Sequence, residues 1–323
     1  MVAQIQHCYL KNLNKINIIK LLIISLIISI IYLSYYVFVK KITDIEKIVY
    51  IPPNSSLKEI SNIIKTETDI FNQFIPYSMS LILGYEKKLV FGEYQINNDT
   101  TLLNLLKKIR FGNNIKRKIT IIEGYENYQF KDLIYSSKMQ IDTLLFNQYD
   151  LIGETFFYNR DQKLSSFLKD VHNFTNNYLK NNNNLKQFTN KELLIISSLV
   201  EKEGKNNEDK RLISSVIFNR LENKMKLDID ATVIYSITKG KFKLNRPLTY
   251  KDLKIQSNYN TYKNKGLPPG PICIPGYNTL KIVLENNKSP YFYYFFNKNK
   301  NSHIFSKNYK EHTYKLNEYR QKK

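Results

Sequence analysis

The sequence predicts an α+β protein in three parts: an N-terminal transmembrane helix, a small α+β module, and a mainly helical domain that carries a β-hairpin. Three observations predict it. The stretch LLIISLIISIIYLSYYVFV, residues 21–39, holds no charged side chain. Between it and residue 160, a unit of extended apolar segment, turn and amphipathic helix recurs loosely. From Thr189 onward apolar residues fall mainly at helical spacing, until YFYYFFNKNKNSHIFS reads as two strands around a polar hairpin turn. The expected parts are a tail at 1–20, the transmembrane segment at 21–39, the module at 42–160 and the helical domain at 161–323.

Residues 21–39 have the length that crosses a bilayer core as a helix. Lys11, Lys15 and Lys20 precede the segment, Lys40 and Lys41 follow it, and YLSYY sets aromatic rings near one interface. A cleaved signal peptide would have a shorter apolar region ending in a small-residue cleavage site, which SYYVFVKK lacks, so the segment reads as an uncleaved signal anchor. The flanking lysines alone leave its orientation open. The 323 residues carry 49 Lys and Arg against 28 Asp and Glu, a net charge of +21, which suits an anionic membrane surface or another polyanion. Lys, Asn and Ile crowd the whole chain, and no zinc spacing or compact arginine cluster accompanies the charge, so no nucleic-acid partner is expected. Cys8 and Cys273 lie on opposite sides of the anchor, so a disulfide between them is not expected, and neither sits in metal-type spacing.

In the module, KIVYIPPNSSLKEISNIIK shows the unit first, with Leu57, Ile60, Ile63 and Ile64 at helical spacing after a Pro-Pro-Asn-Ser turn. VFGEYQINNDTTLLNLLKKI repeats it with Leu102, Leu105, Leu106 and Ile109 on one face, and KITIIEGYENYQFKDLIYSS is a third copy. Three loose copies are too few for a solenoid and fit a small α+β module. Residues 161–188 read as a very polar helix with a loop near its end, at NNNNLKQ. Thr189 and Glu192 then stand in capping-box spacing before ELLIISSLVEKE. EDKRLISSVIFNRLENK follows as a helix, LTYKDLK as a short one, NTLKIVLEN as a capped fourth and YKEHTYKLNEYRQKK as the closing helix. Between the short helix and the fourth lies SNYNTYKNKGLPPGPICIPG, whose Gly and Pro residues exclude regular structure; long ordered loops of this kind tend to carry function.

A carboxylate stands out on the first of these helices. Advancing about 100° per residue from Leu193, the apolar residues sum to a direction near 300°, Glu203 falls at about 280° and Glu201 at about 80°. Glu203 therefore continues the buried stripe, where lost hydration raises the pKa of a carboxyl and makes it a proton donor near neutral pH. The competing reading is a frayed helix end, ahead of Gly204, at which Glu203 simply reaches water.

The chain resembles the endolytic murein transglycosylases of the MltG, or YceG-like, family. The resemblance runs from the anchor nearly to the end. It is carried by SSLVEKE (197–203), SSVIFNRL (214–221), KLDIDATVIY (226–235), SNYNTY (257–262), GLPPGPI (266–272), IPG (274–276) and SHIF (302–305), which are specific together though each is weak alone. It implies a single-pass inner-membrane protein with a cytoplasmic N-terminus and a periplasmic or extracytoplasmic catalytic domain. It also implies a LysM-like module at 42–160 and a lysozyme-like catalytic domain at 161–323, with no metal and no cofactor. The family's catalytic glutamate falls on Glu203, in agreement with the helical wheel. Its glycan cleft falls on Tyr259, Asn260, Thr261 and Tyr262 and on Gly266, Pro268 and Pro269, the latter with Gly270 fixing the wall. Two departures are visible: Gly204 stands where the family often has Thr or Ser after the acid, and a Pro-Asp-Thr-Tyr stretch is replaced by GETFFY (153–158).

The implied reaction cuts the β-1,4 bond between N-acetylmuramic acid and N-acetylglucosamine in nascent peptidoglycan strands and leaves 1,6-anhydro ends, terminating elongation, with cell-wall synthases as partners. One carboxyl suffices there, whereas hydrolysis by a glycosidase uses two. Asp230 is the candidate second carboxylate for substrate binding, against the alternative of a helix N-cap. Arg220 reads as a loop or carboxylate anchor or as a surface ion pair, and His303 as a structural group rather than a metal ligand. The rival readings are a water-using muramidase with the same Glu203 and a catalytically weak peptidoglycan-binding scaffold.

Overall fold

The computed structural model describes residues 2–144 and 150–321, with side chains from residue 18. The expectations for Cys8, Lys11 and Lys15 thus fall outside the described side chains. The protein is helix-rich with small sheets and divides into two compact units, residues 1–116 with 159–161, and residues 117–158 with 162–323.

The first unit opens with α1 (Val2–Phe38), and Ile18–Phe38 is long and apolar enough to cross a membrane. It continues as β1 (Lys47–Ile51), α2 (Leu57–Glu67), α3 (Phe74–Ile82), β2 (Gly92–Ile96) and α4 (Leu102–Phe111). Strands β1 and β2 pair antiparallel, with Val49 opposite Tyr94. Ser56 caps α2 in a capping box with Glu59, and Thr101 caps α4, which stops at Gly112 in the left-handed conformation (φ 68°) that glycine adopts without strain. The stripe Leu102, Leu105, Leu106 and Ile109 is fully buried against Ile51, Ile64 and Tyr94, which gives the unit its own core.

The second unit begins with β3 (Arg117–Thr120), α5 (Asn127–Tyr135) and β4 (Thr155–Tyr158). The third strand-turn-helix copy thus folds with this unit: β3 pairs with β4, and Phe130 and Ile134 of α5 pack with Tyr158, Phe167 and Leu168. Helix α6 (Leu164–Asn182) is polar outside but buries Leu164, Phe167, Leu168, Val171 and Leu179. Next come α7 (Asn190–Glu203), α8 (Asn207–Glu222), α9 (Asp230–Thr238), a 3-10 turn at Asp252–Lys254 and α10 (Tyr277–Glu285). The hairpin β5 (Tyr293–Asn297) and β6 (Ser302–Ser306) and α11 (Tyr309–Gln321) close the chain.

Helix α7 is the axis of this unit. Its capping box forms as the spacing predicts, Thr189 N–H donating to Glu192 at 2.8 Å and Glu192 N–H to the Thr189 hydroxyl at 3.2 Å. From Leu193 to Val200 every residue is buried, Ser197 and Ser198 included, so α7 is covered on all sides rather than along one stripe. Those two hydroxyls donate to backbone carbonyls of the helix itself, which removes the cost of burying them. Ile213, Val216 and Ile217 of α8 and Leu280 and Val283 of α10 complete the core and hold the C-terminal end of α7 in place.

Candidate functional site

Three elements converge on Glu203: the last turn of α7, the first turn of α9 and the β5 strand. The residue lines a cavity of about 310 Å3 together with Asp230, Tyr262, Tyr294, Arg220 and His303. Its carboxylate accepts the Tyr294 hydroxyl at 3.2 Å and the backbone N–H of Ala231. Glu203 is only partly exposed, and the protein packed around its carboxyl pushes the pKa up to about 7, with the negative charge of Asp230 adding to the rise. The Tyr294 and Ala231 hydrogen bonds and Lys205 pull the other way and lose. The group therefore holds a proton near neutral pH and loses it without a large penalty, as a general acid and base requires.

Asp230 does not cap α9. Ile229 occupies the N-cap with no side-chain hydrogen bond, and the Asp230 carboxylate instead accepts the Tyr262 hydroxyl at 2.7 Å beside the cavity. Burial and this partner hold the Tyr262 phenol well above its ordinary pKa, so it stays a donor. The structure brings Tyr262 to Glu203 but turns its neighbours inward. The Asn260 amide donates to the carbonyls of Leu253 and Ile255 at 3.1 and 2.8 Å, and its oxygen accepts the Tyr262 N–H at 3.0 Å. The Thr261 hydroxyl accepts the Ile229 N–H at 3.0 Å and pairs with that of Thr232 at 2.9 Å. Asn260 ties the loop to the 3-10 turn and Thr261 ties it to the start of α9, and between them they fix the backbone that carries Tyr262.

Arg220 sits on the cavity wall, its guanidinium donating to the carbonyls of Phe292 (2.7 Å), Lys226 and Leu227 (3.0 Å each) and to Asp228 (3.1 Å). It ties α8 to the hairpin and to the turn before α9, so the surface ion-pair reading does not hold. Asp228 occupies the left-handed region (φ 51°), which Asp tolerates better than most residues. His303 donates through Nδ1 at 2.9 Å to the carboxylate of buried Asp209, and its ring stands edge-on to Tyr294 at 5.4 Å. Among the described residues no three His, Cys, Asp or Glu side chains cluster as a metal site.

Glu201 points to the other side of α7, as the helical wheel places it, but into protein rather than water. It pairs with Lys210 at 2.7 Å and accepts the Gly276 N–H at 2.9 Å and the Thr279 hydroxyl, at the start of α10. Lys210 also donates to Thr279 at 2.8 Å. Its stem explains Gly204: a Cβ at that position would lie 2.4 Å from Lys210 Cγ.

Tyr259 and Pro269 lie at a second cavity, of about 290 Å3, bordered also by Tyr125, Glu126 and Tyr235. Tyr259 packs on Tyr235 at 4.7 Å, and its hydroxyl would be 2.9 Å from a Cβ at Gly270. Glu126 there is paired with Lys202 at 2.7 Å. Pro268 is buried, and Gly266 takes φ 83°, which fixes a turn only glycine adopts freely. Cys273 is a buried thiol whose pKa burial raises. Sequence reasoning missed Tyr294: the aromatic run YFYYFF marks a strand but does not say which residue meets α7. Tyr294, Phe295 and Phe296 all border the cavity, and of these Tyr294 alone brings a hydroxyl to Glu203.

Comparison with known proteins adds the following. A family model described as the YceG-like family matches residues 49–318. An endolytic murein transglycosylase of Bacillus subtilis is 31% identical over 304 residues, covering 81% of this chain and 81% of that protein. One from Streptococcus pneumoniae is 36% identical over 130 residues, which cover 39% of this chain and 23% of that protein. The solved structure of a YceG-like protein from Listeria monocytogenes superposes with a TM-score of 0.53 at 28% identity, covering 84% of this chain and 99% of that one.

Proposed function

This chain belongs to the YceG-like family, and on that premise we propose that it is an endolytic peptidoglycan lytic transglycosylase with Glu203 as its acid and base. The observation that carries the reading is the proton held by Glu203 near neutral pH inside a cavity that also presents Asp230, Tyr262 and Tyr294. The bond cut is the β-1,4 link between N-acetylmuramic acid and N-acetylglucosamine. Protonated Glu203 gives its proton to the bridging oxygen as the bond from C1 breaks and the electron pair leaves with that oxygen. The C6 hydroxyl of the same muramic acid then closes on C1, and the Glu203 carboxylate takes its proton. No water is consumed, and Glu203 ends as it began. Asp230, hydrogen-bonded to Tyr262, lies where its negative charge favours the cation-like centre at C1.

The β1-α2-α3-β2 order of the first unit supports a LysM-like module, and the α7-centred unit supports a lysozyme-like catalytic domain. Helix α1 is the single membrane anchor, with the N-terminus cytoplasmic and both units outside the cytoplasm. An enzyme that cuts nascent strands ends their elongation and works beside the synthases that extend them.

Mass spectrometry of murein treated with the full-length protein tests the chemistry. Anhydro ends, lighter than reducing ends by one water, are expected with the native chain and absent with Glu203→Gln. Reducing ends alone would identify a hydrolytic muramidase. Equal cleavage by the variant would remove Glu203 from the mechanism, and glycan binding without cleavage by either form would indicate a scaffold.

A further inference from the structure

The stretch from Ile70 to Gly84 carries no charged side chain, in a protein where 24% of residues are charged. It contains α3, whose buried face supplies Pro76 and Met79 to the first unit's core. Its opposite face is mainly apolar as well. Phe74, Leu81 and Ile82 are 66, 47 and 74% exposed, and Phe71 just before the helix is 65% exposed. Positions 74, 81 and 82 lie on one side of the helix; exposed Ser78 stands among them, its hydroxyl donating back to the Phe74 carbonyl at 2.7 Å, so the face is mainly apolar with one internally bonded hydroxyl. A helix whose exposed face carries large apolar side chains as well as its buried one is suited to contact with protein or with lipid.

The position of the stripe selects lipid. Tyr36, near the end of α1, is part of the module's core; its hydroxyl donates to the Asp69 carbonyl and accepts the Phe71 N–H, both at 3.3 Å. The Phe71 ring stands edge-on to Tyr36 at 5.4 Å. Below that contact, Ile28, Tyr32 and Leu33 of α1 and Ile75 of α3 border an apolar notch of about 480 Å3. The notch therefore runs alongside the very residues of α1 that have the character of a membrane span. Lys40, stacked 4.3 Å over Tyr36, and Lys41 stand just past the end of α1, and Lys87 and Lys88 follow α3 in the chain. Cations flanking an apolar, aromatic-rich surface match the headgroup boundary of an anionic bilayer.

We infer that α3 is a second membrane contact: acyl chains of the bilayer that α1 crosses fill the notch and cover Phe71, Phe74, Leu81 and Ile82. The inference rests on the reading of α1 as the anchor. With two contacts, the first unit is seated on the membrane instead of swinging from a single helix.

The protein contains no tryptophan, so single substitutions report position directly. Phe74→Trp, Ile82→Trp, Ile28→Trp and Tyr250→Trp variants of the full chain would be reconstituted in vesicles of phosphatidylcholine and phosphatidylglycerol, with and without bromines on the acyl chains. Tyr250 is 89% exposed on the second unit and serves as the aqueous reference. Brominated lipid is expected to quench Phe74→Trp and Ile82→Trp by about twofold, close to Ile28→Trp, and to leave Tyr250→Trp unchanged. Quenching at Ile28→Trp but not at positions 74 and 82 would overturn the lipid contact while keeping the anchor. A blue-shifted but unquenched signal at 74 and 82 would overturn it in favour of a protein partner. No quenching at Ile28→Trp would remove the anchor reading and this inference with it.

Discussion

Glu203 behaves as two opposing influences dictate, and each can be removed singly. Asp230→Asn deletes the negative charge that helps raise its pKa, so the alkaline limb of kcat/KM should move to lower pH. Tyr294→Phe deletes a hydrogen bond that favours the carboxylate, so that limb should move to higher pH. A pH–rate profile of both variants checks the pair; movement in the same direction would contradict the arrangement. Stability follows the same group. The folded pKa of about 7 lies above the ordinary 4.5, so this contribution is fully present below 4.5 and is lost as pH rises through 7. Glu203→Gln should therefore be more stable than the native chain at pH 8 by up to roughly 3 kcal/mol, the free-energy equivalent of the shift, and the gap should close towards pH 4. Thermal unfolding at the two pH values measures it.

At the scale of elements, α7 presents two carboxylates to two different environments. Glu201 is a fastening between α7, α8 and α10 through Lys210, Gly276 and Thr279, while Glu203 faces the cavity. Gly204 belongs to the fastening. Gly204→Thr would drive a side chain into Lys210 and should cost about 1–3 kcal/mol, as overpacking of a filled site does. Lys210→Ala in the same chain opens that space but leaves Glu201 without its cation, so the double variant should lose less than the sum of the two single variants. A double-mutant cycle in urea measures that coupling. The loop before α10 divides in a similar way. Asn260 holds it to the 3-10 turn, Thr261 holds it to α9 and Tyr262 reaches the cavity, whereas Tyr259 packs away against Tyr235.

On the scale of the whole molecule, each unit has its own core. Leu105 is fully buried in the first, in a core shared with β1, β2 and α2. Leu105→Ala should cost that unit about 2–5 kcal/mol while leaving the pH profile set by Glu203 unshifted, since no described partner of Glu203 lies in the first unit. Calorimetry and the pH–rate profile read the two effects separately. The net charge of +21 is a property of the whole surface, whereas Glu203 at the cavity is half-buried, so total charge does not report on the site.

Much of this was legible in the residues themselves. Apolar length announces α1, spacing announces α4 and α7, the Thr189–Glu192 box announces the start of α7, and a rotation of about 100° per residue places Glu203 and Glu201 on opposite sides. These are local properties, set by backbone geometry and hydration within a few turns of chain. What only the tertiary structure decided is which wall each polar group meets. Tyr294 reaches Glu203 from 91 residues away and Lys210 closes on Gly204 from the next helix. Asn260 and Thr261 turn inward because Leu253, Ile255 and Ile229 present backbone groups that need partners. Hydrogen-bond satisfaction and desolvation depend on what surrounds a group in space, and chain order does not encode that surrounding directly.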